Sequence, residues 1–240
     1  FINNSEEIVS EWTKKAEYFR VNKLESGTAE LDIPYGDSNR QKFDIFQPNT
    51  KPLGTVIFIH GGYWIDLDKS YWSHFASGVL ANGYRCVIPS YDLCPTVKIS
   101  DITGQIKNLV CYVLEKYDGM ISLVGHSAGG HLVSRMISID QWNISKLRSD
   151  LLKRLHHVVA ISPIADLRPL LKTQGRGPKE IVCRQVQTVF LSFASLMPCG
   201  VCVHVCTQCT HCTHTVYHCT YTGVHTRGSP VPTTAGGNPK

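Results

Sequence analysis

A short apolar run that leads directly into a glycine-flanked serine constrains the fold of this chain more than any other feature. Residues 121–124, Ile-Ser-Leu-Val, are β-prone and suit a buried strand. Residues 125–129 match the pattern G-x-S-x-G, in which a serine occupies a sharp turn between a strand and a helix. The two glycines leave room for a cramped turn in which the strand and the helix pack closely. The sequence therefore predicts that the Ser127 hydroxyl lies exposed above a sheet, as a nucleophile would.

A second glycine motif, HGGYW at residues 60–64, follows another apolar run at residues 55–59. An HGG loop behind a strand is where α/β-hydrolases donate backbone N–H groups to an oxyanion. We expect the N–H groups of Gly61, Gly62 and Ala128 to form such an oxyanion hole, with the last at the positive end of a helix. A single G-x-S-x-G motif is frequent by chance, but two motifs in this order favour a hydrolase site.

Strand-like and helix-like patterns alternate along the first 161 residues. Apolar spacing predicts helices over 4–20, 71–81, 97–117 and 128–139, and strands over 42–46, 55–59, 84–89, 121–124 and 157–161. This alternation predicts an α/β fold with a doubly wound, mainly parallel sheet of α/β-hydrolase type.

Charge and cysteine content exclude several classes of partner. Residues 181–240 hold three basic residues and no acidic residue, which leaves 21 basic against 19 acidic residues in 1–180. A nearly neutral body gives no electrostatic reason to expect nucleic-acid binding. No run of 18 apolar residues indicates a membrane span. Because only three cysteines precede residue 183, we expect a reduced, cytoplasmic protein. Its expected partner is a small-molecule substrate. Whether it forms a homodimer stays open.

Aromatic and histidine residues surround both motifs. Tyr63 and Trp64 are either packing residues or the wall of an aromatic substrate site. His126 and His131 are expected to be packing residues, because the general-base histidine of this fold comes late in the chain.

Four segments together resemble the arylformamidase (kynurenine formamidase) family of α/β-hydrolases. They are HGGYW (60–64), PSYDLCP (89–95), GHSAGGHL (125–132) and SPIADLRPL (162–170), and the resemblance covers residues 30–173.

The resemblance implies hydrolysis of N-formyl-L-kynurenine to L-kynurenine and formate in tryptophan catabolism, without a cofactor. Ser127 would attack the formyl carbon while a histidine, oriented by an acid, removes the serine proton. A carboxylesterase for small esters is the alternative within the enzymes, and a truncated, non-catalytic product is the alternative outside them.

The chain changes character after Thr173. Between residues 199 and 226 it becomes a low-complexity mixture of Cys, His, Thr, Val and Tyr, as a translated dinucleotide repeat would be. We interpret residues 1–173 as a C-terminally incomplete α/β-hydrolase domain and residues 174–240 as an aberrant, disordered tail. Read-through of non-coding sequence is our hypothesis for its origin.

Metal binding is the functional alternative for this tail. Candidate ligands are Cys199, Cys202, Cys206, Cys209, Cys212, His211, His214 and His218. Their C-x2-C pairs are too close together for a zinc ribbon, so we expect no metal site.

The acid and histidine of the catalytic triad are the missing pieces. In this fold both follow the serine in the chain, yet no Asp or Glu follows Glu180. Asp166 is a substitute acid in principle, although it precedes LRPLLKT as a helix N-cap would. The histidines between 204 and 225 lie in the repeat. The sequence therefore predicts that the 240-residue chain is inactive by itself.

Overall fold

The computed structural model describes residues 5–137, 153–164, 167 and 202–206. The described helices are α1 (Ser5–Glu25), α2 (Ala76–Ala81), α3 (Ile99–Lys116) and α4 (Ala128–Arg135), and Lys69–Phe75 forms a 3-10 helix. The described strands are β1 (Ala29–Pro34), β2 (Lys42–Phe46), β3 (Gly54–Ile59), β4 (Arg85–Pro89), β5 (Met120–His126), β6 (Leu155–Ile161) and β7 (Cys202–Cys206).

The strands form one mixed sheet in the order β1-β2-β4-β3-β5-β6-β7. β1 and β2 are antiparallel to their neighbours, whereas the strands from β4 to β7 pair in parallel. The mainly parallel sheet predicted from the sequence is confirmed.

Helices cover both faces of this sheet, as a doubly wound fold requires. On one face, α3 and α4 bury their apolar residues against β3, β5 and β6. On the other face, the 3-10 helix and α2 pack Trp72 and Ala76 against Phe46, Phe58 and Ile88. The apolar stripe of α3 that the 3.6-residue period predicts is fully buried: Ile99, Ile102, Ile106, Leu109, Val110, Val113 and Leu114.

A guanidinium fastens the end of α3 to the start of β6. The Arg154 side chain donates to the carbonyl oxygens of Leu114 (2.7 Å), Gly119 (2.8 Å) and Tyr117. These are carbonyls at or just after the end of a helix, which have no partner inside the helix. The contact fixes the turn from which β5 begins.

A buried carboxylate joins the N-terminal helix to the sheet. Asp44 on β2 is fully buried and contacts the Arg20 guanidinium of α1. Its other oxygen lies 2.9 Å from the Lys69 ammonium and accepts the Asp32 N–H at 3.0 Å. Because Lys69 begins the 3-10 helix, one charge holds α1, β2 and that helix together.

The predicted element boundaries agree with the structure along most of the described chain. The main differences are β1, which was not predicted, and residues 71–75, which form a 3-10 helix instead of the start of an α-helix. In the tail, residues 202–206 form an edge strand parallel to β6, so the prediction of a disordered tail is wrong for these five residues. The remainder of the tail lies outside the described residues.

Within the part of the chain that the structure describes, no helix is both long and apolar enough to span a bilayer.

Replacing Asp44 with alanine is expected to lower the free energy of unfolding by about 3–5 kcal/mol, because it leaves two cations without their buried partner. Urea denaturation measures this loss. The matched control is Glu11→Ala, which breaks an exposed pair with Lys15 and should leave the unfolding midpoint unchanged. Equal midpoints for Asp44→Ala and the parent chain would contradict the role given to Asp44.

Candidate active site

Ser127 has the backbone conformation of a sharp elbow between β5 and α4. Its φ is 54° and its ψ is −114°, a region that non-glycine residues rarely occupy. Backbone hydrogen bonds hold it there: the Ser127 N–H donates to the Ile161 carbonyl at 2.9 Å, and the Ser127 carbonyl accepts from His131 at 3.1 Å and Ile164 at 3.3 Å. The strand–turn–helix unit predicted from G-x-S-x-G is present.

Close backbone contacts explain the glycines of the elbow. A Cβ at Gly125 would lie 2.2 Å from the Gly129 carbonyl oxygen, and a Cβ at Gly129 would lie 2.1 Å from that of Ile59. At either distance a side chain would overlap backbone. The elbow therefore packs directly on the end of β3 only because both positions lack a side chain.

The HGGYW loop lies against the serine. β3 and β5 run in register, with Ile59 paired to Gly125, so their carboxyl ends release the loop and Ser127 side by side. A Cβ at Gly61 would lie 3.0 Å from the Ser127 Cβ and 3.0 Å from the His126 carbonyl oxygen. The structure therefore brings the two predicted motifs together.

The N–H groups of Gly61 and Gly62 donate to no acceptor among the described residues. Gly61 is buried and Gly62 is partly buried. Buried backbone N–H groups without an acceptor are rare in folded proteins, so two in succession beside a serine suit a ligand oxygen. The Ala128 N–H, at the first position of α4, belongs to the same edge of the sheet.

The loop after these glycines has an unusual backbone. Gly62 has φ 105°, and three residues with side chains also have positive φ: Tyr63 (51°), Trp64 (61°) and Leu67 (69°). The Gly62 carbonyl accepts from Ile65 at 3.0 Å and Asp66 at 3.1 Å, and Trp64 accepts from Cys94 at 2.8 Å. A Cβ at Gly62 would lie 2.2 Å from the Asp66 carbonyl oxygen, so glycine is required there.

His60 is part of the scaffold of this loop. Its ring is fully buried and stacks on the Tyr91 ring at 4.4 Å, and its Nδ1 lies 2.7 Å from the Gly61 carbonyl oxygen. Because a carbonyl only accepts, Nδ1 must carry the proton. Burial lowers the pKa of His60 to about 4, so the ring is neutral at pH 7. The sequence did not single out His60, although its place directly before two glycines was a signal.

The other two histidines near the elbow are packing residues, as expected. His126 is half-buried, with its ring 5.8 Å from that of Trp72, and burial lowers its pKa. His131 is buried edge-on against Trp64 at 5.2 Å, and burial lowers its pKa to about 4. Neither ring makes a hydrogen bond to Ser127 in the described part of the chain.

The two aromatic residues of HGGYW differ in exposure. The Trp64 side chain is fully buried, whereas Tyr63 is 44% exposed beside the loop. Trp64 thus belongs to the core, against His131. The prediction of an aromatic wall for the substrate stays open for Tyr63.

The predicted substitute acid, Asp166, lies outside the described residues. His204, one of the tail histidines, lies within β7, and its Cα partner on β6 is Val159, two positions before the end of that strand. A triad histidine comes instead from a loop beyond a strand end. Among residues 5–137, 153–164, 167 and 202–206, no acid or histidine side chain forms a hydrogen bond with the Ser127 hydroxyl. The same residues contain no cluster of three metal-binding side chains.

Comparisons with known proteins identify a family and several hydrolases to which this chain is similar. The BD-FAE family model matches residues 43–192. The kynurenine formamidase of Danio rerio is 29% identical over 188 residues, and that of Salmo salar is 31% identical over 152 residues. These alignments cover 72% and 62% of this chain, but the chain spans only 62% and 50% of those relatives.

Solved structures share the fold. A protein of Silicibacter sp. tm1040, provisionally named a thioesterase, is 38% identical with a TM-score of 0.73, over 85% of this chain and 75% of its own. Esterase B of Lactobacillus rhamnosis, at 21% identity, has a TM-score of 0.55 over 67% of this chain and 56% of its own.

Replacing Gly61 with alanine is expected to slow fluorophosphonate labelling of Ser127 by about 100-fold, the loss typical of one misplaced oxyanion donor. The new methyl group would press on Ser127 and His126. Mass spectrometry of the labelled peptide measures the rate. Gly78→Ala on α2 is the control, since its Cβ would meet nothing within 4 Å. Equal labelling of the two folded variants would exclude this loop as the oxyanion site.

Proposed function

The chain belongs to the BD-FAE family of α/β-hydrolases, and from this premise we propose that it is a serine hydrolase of the arylformamidase type. Its substrate class is the aryl formamides, with N-formyl-L-kynurenine as the substrate and L-kynurenine and formate as the products. Ser127 is the nucleophile, and the N–H groups of Gly61, Gly62 and Ala128 receive the oxyanion.

The contact between Gly61 and Ser127 carries this proposal. A Cβ at Gly61 would lie 3.0 Å from the serine Cβ, so the loop that carries the two unpaired N–H groups lies against Ser127. A substrate carbonyl attacked by Ser127 would place its oxygen between the serine and this loop. Donors that are fixed before the reaction stabilise the developing charge without reorganising.

The reaction is an acyl transfer in two steps. A histidine removes the Ser127 proton as the oxygen attacks the formyl carbon, and it then protonates the leaving aniline nitrogen. Water hydrolyses the formyl ester to formate and restores the serine. No described residue supplies this histidine or the acid that orients it.

The size of the space between Ser127 and the loop supports a small acyl group. Gly61 and the elbow approach so closely that even a methyl group on Gly61 would lie only 3.0 Å from the Ser127 Cβ. A formyl group has no side chain to place there. The exposed Tyr63 ring, directly after the oxyanion loop, can contact the aromatic part of the substrate. Relatives that are named kynurenine formamidases support the same substrate.

A small-ester carboxylesterase is the second candidate. The burial of Trp64 favours it, because only one of the two aromatic residues is left to contact an aryl ring. The similarity to a protein provisionally named a thioesterase also favours an activated acyl substrate. A comparison of kcat/KM for N-formyl-L-kynurenine and p-nitrophenyl acetate separates the two candidates. A truncated, non-catalytic product remains the third candidate, and it requires that Ser127 does not react.

Replacing Ser127 with alanine is expected to abolish fluorophosphonate labelling and to lower hydrolysis by at least about 10³-fold, because the hydroxyl forms the acyl bond. The fold should persist, as judged by circular dichroism. Ser122→Ala, on the same strand, is the matched control and should leave labelling unchanged. More than a tenth of the activity remaining in the Ser127 variant would remove this residue from the nucleophile role.

The 240-residue chain by itself is expected to hydrolyse N-formyl-L-kynurenine about 10⁴-fold more slowly than an intact family member, the loss typical of a disabled triad. Residues 181–240 contain no carboxylate, and no described residue orients a base toward Ser127. The absorbance of kynurenine measures the rate. Turnover equal to that of an intact relative, and lost in Ser127→Ala, would show that this chain supplies its own acid and base.

A further inference from the structure

The hydroxyl of Tyr91 contacts the backbone of the oxyanion loop at residues 60 and 61. The Tyr91 hydroxyl lies 2.9 Å from the His60 carbonyl oxygen and 3.3 Å from the Gly61 carbonyl oxygen. Tyr91 follows β4 and is fully buried. Burial raises the pKa of this phenol far above its usual range, so the hydroxyl keeps its proton and acts as the donor.

These two carbonyls belong to the peptide groups that carry the oxyanion donors. A peptide group is planar and trans, so its N–H points away from its C=O. The carbonyl of His60 therefore fixes the direction of the Gly61 N–H, and the carbonyl of Gly61 fixes that of the Gly62 N–H. Because both carbonyls face the same hydroxyl, both N–H groups point away from Tyr91. The Gly61 Cα itself lies against Ser127, since a Cβ there would be 3.0 Å from the Ser127 Cβ.

We propose that Tyr91 is a positioning residue, whose hydroxyl aims the Gly61 and Gly62 N–H groups at the substrate oxygen. The proposal rests on the function proposed above for Ser127 and the loop. Tyr91 does not touch the substrate; it acts through the backbone of residues 60–62. The stacked His60 ring supports it by occupying the second lone pair of the Gly61 carbonyl.

Arg40 links Tyr91 to the C-terminal end of the oxyanion loop. Its Nε donates to the Tyr91 carbonyl at 2.8 Å, and its Nη2 donates to the Leu67 carbonyl at 2.7 Å. One guanidinium thus joins the residue that holds the start of the loop to a positive-φ residue near its end. Neither glycine can hold this backbone by itself, because glycine is the most conformationally permissive residue.

The chain offers a matched control for Tyr91. Tyr35 is also a buried phenol, and its hydroxyl donates to the Ser90 carbonyl at 2.6 Å. Tyr35→Phe and Tyr91→Phe each remove one buried hydroxyl that is bound to a backbone carbonyl. They differ in that only Tyr91 contacts the oxyanion loop.

The experiment compares Tyr91→Phe, Tyr35→Phe and the parent chain in two measurements. Hydrogen–deuterium exchange reports the mobility of residues 60–68, and fluorophosphonate labelling reports the reactivity of Ser127. For Tyr91→Phe we expect faster exchange in the loop and a saturating labelling rate lower by about tenfold or more, since misaligned donors act on the bond-forming step. The half-saturating probe concentration should stay the same. Tyr35→Phe should change neither measurement.

Each outcome decides the proposal. Unchanged loop exchange and labelling in Tyr91→Phe, or equal changes in Tyr35→Phe, would overturn it. A rise in the half-saturating concentration alone would assign Tyr91 to probe binding and would also overturn it. If the parent chain is not labelled, the labelling measurement reports the missing acid and histidine of the triad and not Tyr91, and loop exchange alone decides whether Tyr91 holds the loop. If Tyr91→Phe does not fold, Arg40→Lys, which breaks the fork to Leu67 and Tyr91, takes its place with the same expected changes.

Discussion

The in-register parallel pairing of β3 and β5 is the constraint on which the rest of the site depends. Six consecutive residue pairs end at Ile59 and Gly125, so the loop after β3 and the elbow after β5 start at the same height. Neighbouring strands lie only about 4.8 Å apart, which forces the two connections into contact. A shift of one residue would move the Ser127 elbow away from Gly61 and turn the buried side chains of β5 to the wrong face.

This contact is possible because backbone, not side chains, meets at the elbow. The positions that meet closely are glycines, and the strained φ of Ser127 is held by hydrogen bonds to Ile161, His131 and Ile164. Two of these partners come from β6 and the segment after it. β6, the neighbour of β5 in the sheet, therefore stabilises a conformation of Ser127 that β5 and α4 could not keep alone. Strain at one serine is offset by ordinary strand and helix bonds around it.

Local sequence patterns predicted the secondary structure and the elbow because each of these features has a local cause. Apolar residues recur with a helical period in α3, β3 and β5 are apolar runs, and the turns contain the glycines they require. The missed features have causes that are distant in sequence. β1 contains Asp32 and Pro34 and is a strand only through its pairing with β2. Trp64 lies in a motif beside the nucleophile, yet its ring is buried in the core against His131, a residue 67 positions later in the chain. The contact of Tyr91 with His60 spans 31 residues, and no local pattern indicates it.

The electrostatics of the loop follow from the same packing. The donors offered to an oxyanion are neutral N–H groups, while the Arg40 guanidinium is bound to the Tyr91 and Leu67 carbonyls. His60 is neutral because burial lowers its pKa from 6.5 to about 4. Between pH 6.5 and pH 4 the unfolded chain therefore binds more protons than the folded chain. The contribution of neutral His60 to the free energy of unfolding is complete above pH 6.5, and it decreases as the pH falls toward 4. Protonation would also add an unpaired charge next to the Gly61 carbonyl. The neutral state of His60 is thus a condition for the loop to keep its shape, and burial behind Tyr91 supplies it.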